Sequence, residues 1–331
     1  MHTYLMEMLE CPVCHGTLQW DVLDEEGDRI EEGIAKCKEC SASYPIEKGI
    51  GVFLSPDFPR NDLWEKVDSQ LMMFLNEHPD QKRMLMDVPV ETLEPADQFY
   101  RALMLEEMGK YQEARKLEKL SEVGIYSAEY LKCWKSQMEY VIEMVAEMEG
   151  PIVDLASGRA YLVEKMAQRL DRYLVATDFS PQVLRRNQKW FREFDFYDKI
   201  SLLAFDARQT PFKNGSVGIL TTNIGLPNIN EPGELLKELR RIVSGRFLAI
   251  THFYPETDAV NAGALREKGL NALFRSEALA DFISTGWEID LVNECHGIAN
   301  PTPMSKVIEG AGIDRFPLSK TILDWCVIDA Q

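Results

Sequence analysis

Four cysteines stand in two close pairs, Cys11-Pro12-Val13-Cys14 and Cys37-Lys38-Glu39-Cys40, with 22 residues between them. Thiolates paired in this way can surround one tetrahedral Zn²⁺, and a complete four-cysteine set leaves no position open for catalysis, so the expected metal is structural. Two disulfides or a redox pair are the competing readings. Neither pair lies in a thioredoxin-like βαβ pattern, and both readings are disfavoured in a chain without secretory features. His15 beside a full cysteine set is read as a surface residue. A second group of chemical residues is carboxylates near the ends of apolar runs: Asp154 in Pro151–Leu155, Asp178 after Tyr173–Thr177, and Asp206 after Ile200–Phe205. An acid at the tip of a buried strand can accept hydrogen bonds from both hydroxyls of a ribose.

The elements needed to position those acids follow from the apolar spacing. Pro151–Leu155 is too short for a helix and reads as a buried strand. The small residues Ala156-Ser157-Gly158-Arg159-Ala160 then turn the chain, which lets a ligand lie against backbone near a helix N-terminus. Residues 162, 163, 166, 167 and 170 mark a helix over Tyr161–Leu170, and a second strand ends at Asp178. A dinucleotide fingerprint asks for glycine at 156, 158 and 161, where this chain has Ala, Gly and Tyr, so NAD is not expected. Ser180 and Pro181 cap and open a further helix carrying Arg185, Arg186, Lys189 and Arg192, read as a solvated face rather than an RNA contact. Strands are expected at Ile200–Phe205, Val217–Thr222, Arg246–His252, Glu288–Glu294 and Ile322–Ile328. Helices are expected at Gly233–Val243, ended by Ser244-Gly245, and around Ser276–Ser284.

The run Asp154-Leu155-Ala156-Ser157-Gly158-Arg159-Ala160 resembles motif I of class I S-adenosylmethionine (SAM) methyltransferases, Asp-x-Gly-x-Gly-x-Gly, with two of its three glycines replaced by alanine. Pro211–Ser216 and the stretch LLKELRRIVSGRFLAITHF extend the likeness in the same order. CPVCHGTLQW and CKECSASYPIEKGIGVFL resemble the zinc ribbon that opens bacterial rRNA guanine-N1 methyltransferases, and also the small ribbon proteins that activate tRNA and release-factor methyltransferases. The resemblance implies an α/β fold with a Rossmann-like seven-stranded sheet, a terminal antiparallel hairpin and SAM as cofactor. It implies that Asp154 supports the loop Ala156, Ser157, Gly158 and Ala160 and contacts the methionine end. Asp178 would hold the ribose, Asp206 would reach adenine, Asn223 would lie near the sulfonium, and Phe179 and Ala207 would also contact the cofactor. His252 and Tyr254, at the end of the fifth strand, are the candidate catalytic bases; for His252 a loop-packing role competes.

Between the ribbon and motif I the chain reads mostly helical from Asp62 to Glu149, with breaks near Pro79, residues 88–95, Gly109 and Gly124. Trp134, Met138, Val141, Val145 and Met148 form one apolar face of a helix capped by Ser127. Tyr126, Tyr130 and Trp134 are candidate lid contacts, against a core reading. The expected division is a ribbon over 1–60, a helical linker or lid over 61–149, and a methyltransferase domain over 150–331. No apolar run approaches the roughly 18 residues of a membrane span, and the N-terminus lacks a basic signal region, so a cytoplasmic protein is expected. Residues 1–150 carry 15 Lys and Arg against 31 Asp and Glu, whereas 151–331 are nearly balanced at 21 against 23. Such an acidic half repels phosphate backbones. A small-molecule acceptor is therefore expected; RNA or protein as acceptor, and a non-catalytic SAM-binding or partner-activating role, are the alternatives.

Overall fold

The computed structural model describes residues 1–55 and 70–331. The expected helix over 62–69 and the expected boundary at residue 60 lie outside the described residues. The ribbon comprises a short helix α1 (Leu5–Met8) and strands β1 (Leu18–Glu26), β2 (Arg29–Cys37), β3 (Ser43–Glu47) and β4 (Ile50–Val52). Helices α2 (Gln70–Glu77), α3 (Pro79–Met86), α4 (Pro95–Glu107), α5 (Tyr111–Ile125) and α6 (Ala128–Ala146) follow. The remainder alternates: β5 (Ile152–Asp154), α7 (Tyr161–Arg169), β6 (Leu174–Asp178), α8 (Pro181–Glu193), β7 (Ile200–Ala204), β8 (Val217–Asn223), α9 (Pro232–Ile242) and β9 (Val243–Phe253). It closes with α10 (Ala259–Glu267), α11 (Arg275–Ser284), β10 (Ile289–Ala299) and β11 (Thr321–Ala330).

Seven of these strands form the Rossmann-like core in the order β7-β6-β5-β8-β9-β11-β10. The first five run parallel, and β11 enters antiparallel between β9 and β10, as expected of a terminal hairpin. Strands β5, β6 and β7 are buried almost throughout, which is why they read as unbroken apolar runs rather than alternating ones. The sheet does not stop at β7. Strand β4 pairs with it in parallel, Ile50 opposite Leu202 and Val52 opposite Ala204, so the four ribbon strands extend the same sheet to eleven. The apolar side of the ribbon is likewise shared: Leu9, Ile30, Tyr44 and Phe53 pack in one cluster with Val153, Leu203, Phe212 and Leu236.

Three local expectations differ from the fold. Gly124 does not break a helix; α5 runs through it to Ile125. A Cβ there would meet Pro95 Cγ at 2.4 Å, so glycine serves the close approach of α4. Ser244-Gly245 does not cap α9 either, because β9 begins directly at Val243. Gly245 instead lets β9 pass β8, where a Cβ would lie 2.2 Å from the Gly218 carbonyl oxygen. Gly245→Ala is accordingly expected to cost about 1–3 kcal/mol by overpacking, read as a lowered denaturant midpoint; an unchanged midpoint would contradict that packing. The basic face of α8, finally, is only partly left to solvent: Lys189 and Arg192 stay exposed, yet three of its four cations have acidic partners. Arg185 pairs with Glu47, Arg192 with Glu31, and Arg186 with Glu106, so these cations join the helix to the ribbon and to α4.

Candidate functional site

The two cysteine knuckles converge. Sγ atoms of Cys11, Cys14, Cys37 and Cys40 all lie within 4.8 Å of one another, with Cys11–Cys40 at 3.6 Å and Cys14–Cys37 at 3.5 Å. Four sulfurs at a Zn–S distance of about 2.3 Å around a tetrahedral centre stand about 3.8 Å apart, so the donor set fits one Zn²⁺. Around it, the amides of Glu39 and Cys40 donate to Cys37 Sγ at 3.4 Å each, and the Tyr44 hydroxyl lies 3.2 Å from Cys11 Sγ. Such bonds orient thiolates and offset their charge. His15 is not in this set; it turns to Glu10 at 2.8 Å.

A cavity of about 750 Å³ lies at the carboxyl ends of β5, β6 and β7. Of the expected cofactor residues, Ala156, Gly158, Asp178, Phe179, Asp206 and Ala207 line it. Asp178 stands at the tip of β6, where its Oδ2 accepts from the Gly158 amide at 3.1 Å and its Oδ1 from the Ser180 amide at 2.9 Å. One carboxylate thus ties the motif I turn to the start of α8. Asp206 is gripped by Arg208, whose Nε and Nη2 donate at 3.1 and 2.8 Å. Ala156, Gly158 and Ala160 all have positive φ, at 50°, 53° and 58°. Glycine is the usual residue for such backbone; each alanine here carries a cost of about 1–2 kcal/mol and keeps the turn in the same conformation.

Other expected residues lie outside the cavity wall. Asp154 was expected to meet the methionine end, but it is buried beneath the turn, where its Oδ1 accepts from the Thr221 hydroxyl at 2.7 Å. Burial pushes its carboxyl up to about 7. The aspartate therefore ties β5 to β8 behind the turn. The Ser157 hydroxyl is likewise engaged by backbone, donating to the Asp154 carbonyl, and Ala160 is buried at the start of α7. Asn223 Oδ1 accepts from Trp134 Nε1 at 3.0 Å and does not line the cavity.

His252 and Tyr254 are also away from that wall, buried against each other and Trp325. Burial holds the His252 imidazole down to about 4, so it is neutral at pH 7, and its Nδ1 has no hydrogen-bond partner.

The cavity wall also includes residues that strand-end reasoning missed. Phe99 and Leu103 come from α4, which caps the opening. Arg159, the residue after Gly158, holds that cap: its Nη2 lies 3.1 Å from Glu106 on α4 and its Nε 3.2 Å from Glu118 on α5. Arg186 reaches the same Glu106 at 3.4 Å. The lid expected from Tyr126, Tyr130 and Trp134 is thus supplied at this cavity by α4. No spacing signal links α4 to the motif I turn; only the acidic partners of Arg159, Glu106 on α4 and Glu118 on α5, would have suggested it.

Comparison with known proteins agrees with this architecture. Residues 152–245 match the family described as "Methyltransferase domain", and residues 2–49 match "Trm112p-like protein". The chain is 32% identical over 116 residues to demethylmenaquinone methyltransferase of Renibacterium salmoninarum, covering 34% of this chain and 46% of the relative. It thus spans about half the length of that curated relative. A UPF0434 protein of Methylobacillus flagellatus is 32% identical over 68 residues, 20% of this chain and the whole of that protein. Among solved structures, the YcgJ protein of Bacillus subtilis superposes with a TM-score of 0.47 at 15% identity, covering 59% of this chain and 97% of that one. The N-terminal ribbon belongs with the UPF0434 proteins and is Trm112p-like, and it precedes a segment, residues 152–245, that matches the methyltransferase domain family.

Proposed function

We propose that the chain is a SAM-dependent methyltransferase acting on a small molecule, with one structural Zn²⁺ held by Cys11, Cys14, Cys37 and Cys40. The observation that carries the cofactor assignment is the capped cavity with Asp178 and Asp206 at successive strand ends, beside the turn containing Ala156 and Gly158. Asp178 would accept from the ribose hydroxyls, and Phe179, Asp206 and Ala207 would surround adenine. The positive-φ turn would let the methionine end approach backbone. SAM, when bound, supplies an electrophilic methyl group on a sulfonium. The chain's part is to hold donor and acceptor at attack distance, which accounts for much of the acceleration in such displacements, and to shed water by closing α4 over the site.

A small acceptor is favoured over RNA because Arg185, Arg186 and Arg192, which stand in the basic cluster of α8, are engaged by carboxylates. A phosphate backbone needs clustered cations for counterion release. The named substrate of the demethylmenaquinone relative is itself a small molecule, which points the same way.

Calorimetry is expected to show SAM binding and no NAD binding; the reverse would remove the cofactor assignment. Incubation with methyl-labelled SAM, total RNA and a metabolite extract should then place label in the metabolite fraction. Label in RNA that falls steeply with salt would move the acceptor to nucleic acid.

A further inference from the structure

Asp206 reaches the cavity from a turn that the chain closes on itself just past β7. The Gln209 amide donates to the Asp206 carbonyl at 2.9 Å, and the Arg208 amide donates to Asp206 Oδ1 at 2.9 Å. This is an Asx-turn, in which the aspartate side chain stands in for a backbone acceptor. The Arg208 side chain then folds back over the same carboxylate. Its Nε donates to Oδ1 at 3.1 Å and its Nη2 to Oδ2 at 2.8 Å, one nitrogen for each oxygen. Two parallel bonds from a planar guanidinium fix the plane of a carboxylate, which a single bond leaves free to turn.

The third nitrogen, Nη1, leaves that turn and donates to Glu231 Oε2. Glu231 precedes α9 with a φ of 59° and directly follows Asn228, Ile229 and Asn230, which line the cavity. Arg208 thus joins two stretches of the wall that arrive from different strands, one past β7 and one past β8. Both members of the inner pair are partly shielded, with side-chain exposures of 26% for Arg208 and 13% for Asp206. Bidentate geometry is the case in which an ion pair near the surface holds its shape.

That geometry decides what the acid can read. An ionised carboxylate only accepts hydrogen bonds. Held in one orientation, it favours an exocyclic amino group, which donates, over a carbonyl oxygen in the same place, which accepts. Adenine carries the first at its 6-position and hypoxanthine the second. The nearest donor of hypoxanthine is N1–H, one ring position away. A carboxylate free to turn can follow it there; a fixed one cannot.

We propose that Arg208 is a positioning residue for the cofactor's base: it holds the Asp206 carboxylate in one orientation and so sets the preference for adenine over hypoxanthine. The role rests on the reading above, in which SAM occupies the cavity with adenine beside Asp206. Nε, Nη1 and Nη2 of Arg208 all donate to carboxylates, so the base is read by Asp206 and not by the guanidinium itself. Lysine at this position keeps the charge but not the fork, because an ammonium is a point donor.

S-adenosylhomocysteine and S-inosylhomocysteine differ only at the 6-position of the purine and in the N1 proton that goes with it. Titrated calorimetrically into the full chain, the adenosyl compound is expected to bind the parent at least about tenfold more tightly. In Arg208→Lys the two should come within about threefold, with the loss falling mainly on the adenosyl compound. Arg208→Gln, which gives up the charge as well, should narrow the ratio in the same way. The ratio is taken within one preparation, so partial unfolding of a variant cancels from it. A merely structural role would weaken both ligands alike, and an unchanged ratio in both variants would overturn the proposal. A parent that binds the two compounds equally would overturn it too, since Asp206 would then not face the base. Failure of S-adenosylhomocysteine to bind the parent at all would instead remove the cofactor reading, and the positioning role with it.

Discussion

Cys37→Ser is expected to lower the melting temperature of the whole chain, not only to loosen its first fifty residues. A four-thiolate zinc contributes on the order of 10 kcal/mol to a small ribbon. Here the ribbon is also the edge extension of the main sheet: β4 runs beside β7, and the Phe53 amide donates to the Ala204 carbonyl at 2.7 Å. Two residues beyond Ala204 stands Asp206, in the cavity wall. Melting of β4 would expose that edge and the apolar cluster that Leu9, Ile30 and Phe53 share with Leu203 and Phe212. Metal analysis should find one zinc per chain in protein purified without chelator, and scanning calorimetry should show a single transition that falls in Cys37→Ser or after chelation. Protein free of zinc, or a variant melting with the parent, would contradict the assignment.

Asp178→Ala is expected to weaken SAM by at least about tenfold, and in all by more than the ribose contacts alone. Charge-assisted hydrogen bonds are worth roughly 1.5–3 kcal/mol each, and a factor of ten needs only about 1.4. The substitution also leaves the Gly158 amide without its acceptor, so the motif I turn loses an anchor as well as the ligand. Asp178→Asn separates the two effects, since the amide oxygen can still accept one of the backbone bonds; it should fall between parent and alanine variant in calorimetric titration. Equal affinity in all three would mean that the cofactor does not sit at the tip of β6.

What could be read along the chain was what is local to it. Each knuckle places its two cysteines within one turn, and each strand-end acid lies at the end of its own apolar run, so spacing brought out the four zinc candidates and the lining residue Asp178, and the family resemblance added Asp206. The Ser127 and Ser180 caps, accepting from the amides of Tyr130 and Val183, were legible for the same reason. Asp154 was found by the same rule, but a strand-end acid can face the cavity or the neighbouring strand, and only the packing of Thr221 against it sets it beneath the turn rather than in the cavity wall.

Everything that depended on two distant segments meeting was left to the tertiary structure. Pairing of β4 with β7 joins residues 50–52 to 202–204 through backbone bonds that carry no side-chain signature. Closure of α4 over the cavity rests on Glu106 meeting Arg159 and Arg186, and charged pairs at such separations have no period to reveal them. Gly245 looked like a helix stop because its lack of a Cβ is the same whether it serves a cap or a close strand crossing. The contacts of Tyr130 and His252 with Trp325 are the extreme case: 195 positions separate Tyr130 from Trp325, and only strand register and the docking of α6 bring these rings to one place.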